Sequence, residues 1–135
     1  MTSSVGSTDR DGRERILVFD DEPVILDLLG SVLSREGYDV TTTPCDEEAF
    51  GLMSAQRFDL AVADVGLRPS NGCKLVREIR DVSPETAIVA ITAYPAKEVV
   101  RFAREHAQAF LEKPFALSEF LTVVRATLGQ GLAHN

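Results

Sequence analysis

A doubly wound α/β sandwich, one parallel sheet covered by helices on both faces, is the fold this sequence predicts. Three observations lead to it. Five short apolar runs alternate with five segments of helical periodicity across residues 15–128. The runs are nearly continuous in apolar residues, which suits strands buried on both faces. A strand followed by a helix, repeated five times, requires crossover connections and therefore parallel strands.

The elements follow in order. Residues 16–19 (ILVF) are the first apolar run and stop at Asp20-Asp21. Pro23 suits the first turn of a helix. Ile25, Leu28, Leu29, Val32 and Leu33 recur at spacings of three and four, and Gly37 supplies the stop. Residues 38–43, rich in β-branched side chains, predict the second strand. Thr43, Pro44 and Asp46 resemble a helix start, with Ala49, Phe50, Leu52 and Met53 as its apolar face. Residues 58–63 predict the third strand, ending at Asp64, and 65–72 (VGLRPSNG) a turn-rich loop. Leu75, Val76 and Ile79 mark the next helix. Residues 86–91 (TAIVAI) are the most apolar run and so the expected central strand, ending at Thr92. A helix over 96–106 carries Val99, Val100, Phe102 and Ala103. Residues 109–112 predict the fifth strand, running into Lys113-Pro114, and the last helix spans 117–128 with Leu117, Phe120, Leu121, Val124 and Leu128. Residues 1–14 hold almost nothing apolar and are expected to form a disordered extension. Residues 129–135 are expected as a tail. Asp39 and Asp59, at strand starts, read as solvated acids.

Composition bounds the function. A chain of 135 residues with 44% hydrophobic and 26% charged residues reads as one ordinary globular domain. The formal charge of −7 argues against general affinity for nucleic acid, which requires a basic surface. No apolar run approaches the ~20 residues that span a bilayer, and the N-terminus lacks the apolar core of a signal peptide. A cytoplasmic domain that contacts neither membrane nor nucleic acid is expected. Cys45 and Cys73 lie outside any CxxC or Cys/His cluster and read as reduced thiols rather than zinc ligands. His106 and His134 have no neighbouring ligand set.

In such a sheet, ligands bind beyond the carboxyl ends of the strands. The predicted strands place Asp20-Asp21-Glu22, Asp64, Thr92 and Lys113 along that rim. Carboxylates crowded together are costly unless a cation sits among them. Oxygen donors without His or Cys favour a hard divalent ion such as Mg²⁺. Nucleotide-binding glycine motifs (GxGxxG, GxxxxGK[ST]) are absent, as is the GxSxG elbow. The Asp-x-Asp of haloacid-dehalogenase-like phosphatases is missing after the first strand, where the acids are adjacent instead. Taken singly, each residue has a plainer explanation. Strand-end acids commonly cap helices, Thr92 could be a cap, Lys113 a solvated charge, and Phe110 a core aromatic. Their convergence on one rim is what argues for a site.

The motifs VFDDEP (18–23), FDLAVAD (58–64), AITAY (90–94) and FLEKPF (110–115), in this order and each at a strand end, resemble the response-regulator receiver domain of two-component signalling. The resemblance covers about residues 15–128, and it implies a flavodoxin-like sheet with strand order 2-1-3-4-5. It further implies that Asp64 accepts a phosphoryl group from a sensor histidine kinase or histidine phosphotransfer protein. Asp21 and Asp64 would bind Mg²⁺ directly, Asp20 through a water, and Gly66 through its backbone carbonyl. Lys113 would pair with the phosphoryl oxygens and Thr92 would hydrogen-bond one of them. Phe110 stands at the family's aromatic switch position, and Lys113-Pro114 at its cis peptide. Gly66 and Tyr94 occupy the two positions that tune phosphoryl lifetime.

These implications agree with what phosphoryl transfer requires: an in-line nucleophile, a divalent ion on the equatorial oxygens, and a fixed cation. Such a chain is not a turnover enzyme; at most it catalyses its own phosphorylation and dephosphorylation. With no effector domain in view, a stand-alone receiver is expected, acting on a downstream protein target through the face of helix 4, strand 5 and helix 5. A phosphorylation-dependent homodimer is one form that output takes. Kinase docking would use helix 1 near Leu26 and Gly30 and the loop after Lys113. The loop after Asp64 departs from the family pattern: Pro69 comes one position late and Asn71 replaces an acid, while Gly72 keeps register. Two other readings stay open, a pseudo-receiver that carries no phosphate and a metal-dependent phosphatase acting on small substrates.

Overall fold

The computed structural model describes residues 12–66 and 71–133. Strands β1 (Arg15–Phe19), β2 (Asp39–Thr43), β3 (Leu60–Asp64), β4 (Ala87–Thr92) and β5 (Ala109–Glu112) alternate with helices α1 (Pro23–Arg35), α2 (Asp46–Ala55), α3 (Asn71–Val82), α4 (Lys97–His106) and α5 (Leu117–Ala133). All strand pairs are parallel, in the order β2-β1-β3-β4-β5. This is the predicted doubly wound sandwich.

Because side chains alternate across a strand, each apolar run feeds two cores. Ile16 and Val18 join Leu60, Val62, Val89 and Ile91 beneath α1 and α5, where Leu29, Leu33, Phe120 and Val124 close the layer. Leu17 and Phe19 join Ala61, Ala63, Ile88 and Ala90 on the opposite face, against Met53 of α2, Leu75, Val76 and Ile79 of α3, and Phe102 of α4. Near-continuous hydrophobicity is the consequence of this two-sided burial. All six residues of β4 are buried, although β3, not β4, holds the central position. The Thr-rich β2 lies at one edge and is mostly half-buried.

Local signals place the helix ends. Pro23 opens α1. Gly37, at φ 96°, turns the chain after it, with the Gly37 and Glu36 amides donating to Ser34 and Leu33 carbonyls at 3.0 Å. A left-handed residue at this place is normally glycine. Before α2, the Thr43 hydroxyl accepts from the Cys45 amide at 3.1 Å and bonds the Glu48 carboxylate. Asp46, Glu47 and Glu48 fill the first turn, where the helix dipole favours acids.

Several boundaries differ from the sequence expectation. Helix α5 runs five residues past Leu128, so 129–133 are helical rather than a tail. Gly129 costs a helix about 1 kcal/mol relative to Ala, too little to end one already anchored by Phe120, Val124 and Leu128. The loop predicted over 65–72 gives way to α3 at Asn71, and residues 67–70 lie outside the described residues. So does most of the extension expected over 1–14. Its last residue, Glu14, already belongs to the sheet margin, its carbonyl accepting from the Asp39 amide at 2.9 Å. Asp39 and Asp59 are half-buried rather than solvated: Asp59 Oδ2 accepts from the Arg15 amide at 2.8 Å, and Asp39 Oδ2 pairs with Arg15 Nε at 3.3 Å. Leu26, expected near a docking face, is buried beside Leu29 and Leu33, as a 3.6-residue period requires. Val24 and Leu28 are the apolar side chains that α1 leaves exposed.

The β3–β4 packing depends on a buried hydroxyl. Thr86 Oγ1 donates to the Phe58 carbonyl at 2.9 Å in a region where both residues are about 1% exposed. Thr86→Val keeps the shape and leaves that carbonyl unpaired. The expected loss of stability is about 1–2 kcal/mol in urea unfolding, and an unchanged midpoint would refute this role.

Candidate functional site

The strand order reverses on either side of β1, and the crevice at that switch point opens between the carboxyl ends of β1 and β3. Asp20 and Asp21 follow β1, and Asp64 closes β3. One carboxylate oxygen from each lies within 4.8 Å of the other two. Thr92 ends β4, and Lys113 follows β5, its amide donating to the Thr92 carbonyl at 2.7 Å. The rim inferred from spacing is therefore assembled in space.

Asp20 is fully buried. Its Oδ1 accepts from the Glu22 amide at 2.9 Å, a two-residue turn that locks the carboxylate. Its Oδ2 faces Lys113 Nζ at 2.9 Å in an ion pair, without a well-directed hydrogen bond. Burial raises its pKa, opposed by the Glu22 amide and Lys113. Asp21 is exposed at the mouth. The Asp64 side chain is 15% exposed, with Oδ2 3.6 Å from Lys113 Nζ. Burial, with help from the Asp20 and Asp21 charges, pushes the Asp64 carboxyl up to about 6, against the pull of Lys113. Burial alone would lower the Lys113 pKa, but the Glu22 and Asp20 carboxylates outweigh it and hold the ammonium above the ordinary lysine range.

Thr92 is fully buried, its hydroxyl accepting from the Tyr94 amide at 3.1 Å and directed at the Tyr94 carbonyl at 3.4 Å. Tyr94 itself is exposed. Phe110 pairs in register with Ala90 and lies half-buried against the core beneath α2, α3 and α4, a core contact on a partly open ring. Gly66 sits two residues past Asp64, after Val65, whose amide donates to the Ile91 carbonyl at 2.8 Å. The Lys113-Pro114 peptide is cis.

Two features escape sequence reasoning. Glu22 Oε1 lies 2.9 Å from Lys113 Nζ across 91 positions, a pairing that no local pattern reveals. Gly72 passes so close to β3 that a Cβ would stand 1.8 Å from the Asp64 carbonyl oxygen. Its register was visible, but its reason was not.

The donor set suits a hard divalent cation. It is all oxygen, it is anionic, and one of its members is buried with an oxygen matched only by an ammonium. Carboxylate oxygens this close together could hold such an ion, directly or through its bound water.

The sequence pattern of the response regulator receiver domain matches residues 16–125. This chain belongs to that family. Among solved structures, this receiver is similar to a CheY-like response regulator receiver domain protein from Methanospirillum hungatei, with a TM-score of 0.87, 26% identity, and coverage of 92% of this chain and 100% of that one. It is also similar to the response regulator protein TrrA of Thermotoga maritima, solved in complex with Mg²⁺-BeF, with a TM-score of 0.75, 31% identity, and coverage of 84% and 98%. A curated relative, the response regulator MprA of Mycolicibacterium vanbaalenii, is 35% identical over 115 residues, 84% of this chain and 50% of that protein. The transcriptional regulatory protein GlrR of Escherichia coli is 31% identical over 100 residues, 73% of this chain and 22% of that protein. The receiver thus spans half or less of the length of these two curated relatives. No helix among the described residues is long and apolar enough to cross a membrane.

Proposed function

We propose that this receiver is a phosphoacceptor. Asp64 takes a phosphoryl group from the phosphohistidine of a sensor histidine kinase or a histidine phosphotransfer protein, and the added charge switches contacts with a downstream protein. The observation that carries the reading is the convergence of Asp20, Asp21 and Asp64 within 4.8 Å, with Lys113 on the same rim. In the transfer, an Asp64 carboxylate oxygen forms the new bond to phosphorus as the bond to the donor imidazole nitrogen breaks. The imidazole leaves with the electron pair and is protonated.

Asp21, Asp64 and the Gly66 carbonyl would hold Mg²⁺ directly, and Asp20 through a water. When bound, that ion neutralises charge on the phosphoryl oxygens. The Mg²⁺-BeF complex of the similar TrrA supports this choice of ion. Lys113 supplies the fixed cation. The acyl phosphate carries about −1.5 to −2 charge in place of the single carboxylate charge and brings new acceptor oxygens, enough to draw the Thr92 hydroxyl from its Tyr94 contacts and to shift the β4–α4 loop and Phe110. That change is read on the α4–β5–α5 surface, by a protein target, a second copy of the chain or a further domain. The exposed Val24 and Leu28 of α1, together with the loop after Lys113, would form the kinase-docking face. Footprinting of the kinase complex that leaves α1 untouched would overturn this docking face.

On this reading the chain is no turnover enzyme: it catalyses only its own phosphorylation and dephosphorylation. It works in the cytoplasm, where Cys45 and Cys73, not joined in a disulfide, stay reduced, and it binds no nucleic acid directly. Incubation with Mg²⁺ and acetyl phosphate, followed by intact mass, tests the proposal. A gain of one phosphoryl group, lost in Asp64→Ala, is the expected result. No gain from acetyl phosphate or from a cognate kinase would instead favour an interaction module that carries no phosphate.

A further inference from the structure

Glu22 stands at the N-cap of α1, where Ser, Thr, Asp or Asn would accept a hydrogen bond from the first turn. Its side chain makes no such bond. It reaches instead to Lys113, with Oε1 2.9 Å from Nζ. Lys113 is therefore gripped by two carboxylates at 2.9 Å, those of Asp20 and Glu22, while Asp64 Oδ2 stands off at 3.6 Å. The two grips differ in kind. Asp20 is buried and locked by the Glu22 amide. The Glu22 side chain is 59% exposed and can turn into water at little cost.

Resting on the phosphoacceptor reading, we propose that Glu22 is a positioning residue: it holds the Lys113 ammonium back from Asp64 in the unphosphorylated chain and releases it when a phosphoryl group arrives. The reasoning is competition for one cation with three N–H donors. A single charge on Asp64 loses to the two nearer carboxylates. Phosphorylation replaces that single charge with an acyl phosphate carrying about −1.5 to −2 in all, and the most weakly held partner, the exposed Glu22, gives way. The pairing of Glu22 with Lys113 thus opposes the phosphorylated state. At the strength of a partly exposed ion pair, the bias is about two- to fivefold in affinity for a phosphoryl group or its mimic.

Two substitutions separate tethering from simple charge. Glu22→Gln removes the charge and keeps the length. Glu22→Asp keeps the charge but is one methylene shorter, which draws the carboxylate away from Nζ. Beryllium fluoride binding at saturating Mg²⁺, followed by fluorine NMR or calorimetry, reads the affinity, and urea unfolding checks that each variant is folded. Both variants are expected to bind the mimic about two- to fivefold more tightly than the wild type. If the wild type binds and both variants match it or bind more weakly, the tether is refuted while the phosphoacceptor reading stands. If only Glu22→Gln binds more tightly, bulk charge explains the effect and the tether is again refuted. If the wild type neither binds the mimic nor takes up phosphoryl from acetyl phosphate, the phosphoacceptor reading falls and this inference falls with it.

Discussion

Gly72→Ala should destabilise the receiver by about 3 kcal/mol or more and slow phosphoryl uptake at Asp64, whereas Gly51→Ala should stabilise it by about 0.5–1 kcal/mol. Both glycines are helical, so propensity alone predicts a gain at each. Space decides between them. A Cβ on Gly51 meets nothing within 4 Å, while one on Gly72 would stand 1.8 Å from the Asp64 carbonyl oxygen, 2.8 Å from its carbonyl carbon and 3.1 Å from Val65 Cα. All three atoms are backbone, so no side chain can swing aside. Either α3 must retreat from β3, or the end of β3 must bend. The first opens the core around Val65, Leu75 and Val76, which are at most 1% exposed. The second moves the Asp64 carboxylate relative to Asp20 and Lys113. Urea unfolding of both variants, with acetyl phosphate uptake for Gly72→Ala, gives the measurement. A Gly72→Ala protein as stable as the wild type would show that the approach of α3 to β3 is not fixed by this glycine.

That residue also marks how far the sequence could be read. Strand-end positions of Asp20, Asp21, Asp64, Thr92 and Lys113 were legible because apolar runs stop abruptly there, and a parallel sheet puts every such stop on one rim. The two cores were legible for the same reason: runs such as 16–19 are apolar at every position, so both faces must be covered. Contacts that join distant segments were not. Gly72 was visible only as a glycine in register, since the atoms it must avoid belong to a carbonyl eight residues earlier. Glu22 looked like a third acid at a helix start, and its choice of Lys113 over the helix amides is a tertiary competition. The end of α5 was misplaced because the apolar periodicity stops at Leu128, while the helix runs on to Ala133 without the left-handed turn that Gly37 makes after α1.

Removing the charge of Asp64 should make the metal-free protein more stable at neutral and alkaline pH. The carboxyl is pushed from 3.8 up to about 6, by burial first and by the Asp20 and Asp21 charges, with Lys113 opposing. A raised carboxyl pKa means that the folded state holds the proton more tightly than the unfolded chain. Stability from this group is therefore fullest below about pH 4, is lost as pH rises towards 6, and stays lost above it. At about 1.4 kcal/mol per pH unit, the difference between 3.8 and about 6 corresponds to about 3 kcal/mol at most. Solvent screening at the open mouth of the site brings the expected gain for Asp64→Asn to about 2 kcal/mol at pH 8. The gain should shrink towards zero near pH 4, where the wild-type carboxyl is protonated in the folded state. Mg²⁺ should reverse the ranking. It stabilises the wild type by binding the folded state, and it stabilises the Asp64→Asn variant less, because a neutral amide oxygen there replaces a carboxylate. Urea unfolding with chelator and with millimolar Mg²⁺, at pH 4.5 and pH 8, resolves all four corners of this expectation. An Asp64→Asn protein no more stable than the wild type at pH 8 with chelator would show that Lys113 already compensates the three carboxylates. Equal Mg²⁺ stabilisation of both proteins would show that Asp64 is not a ligand.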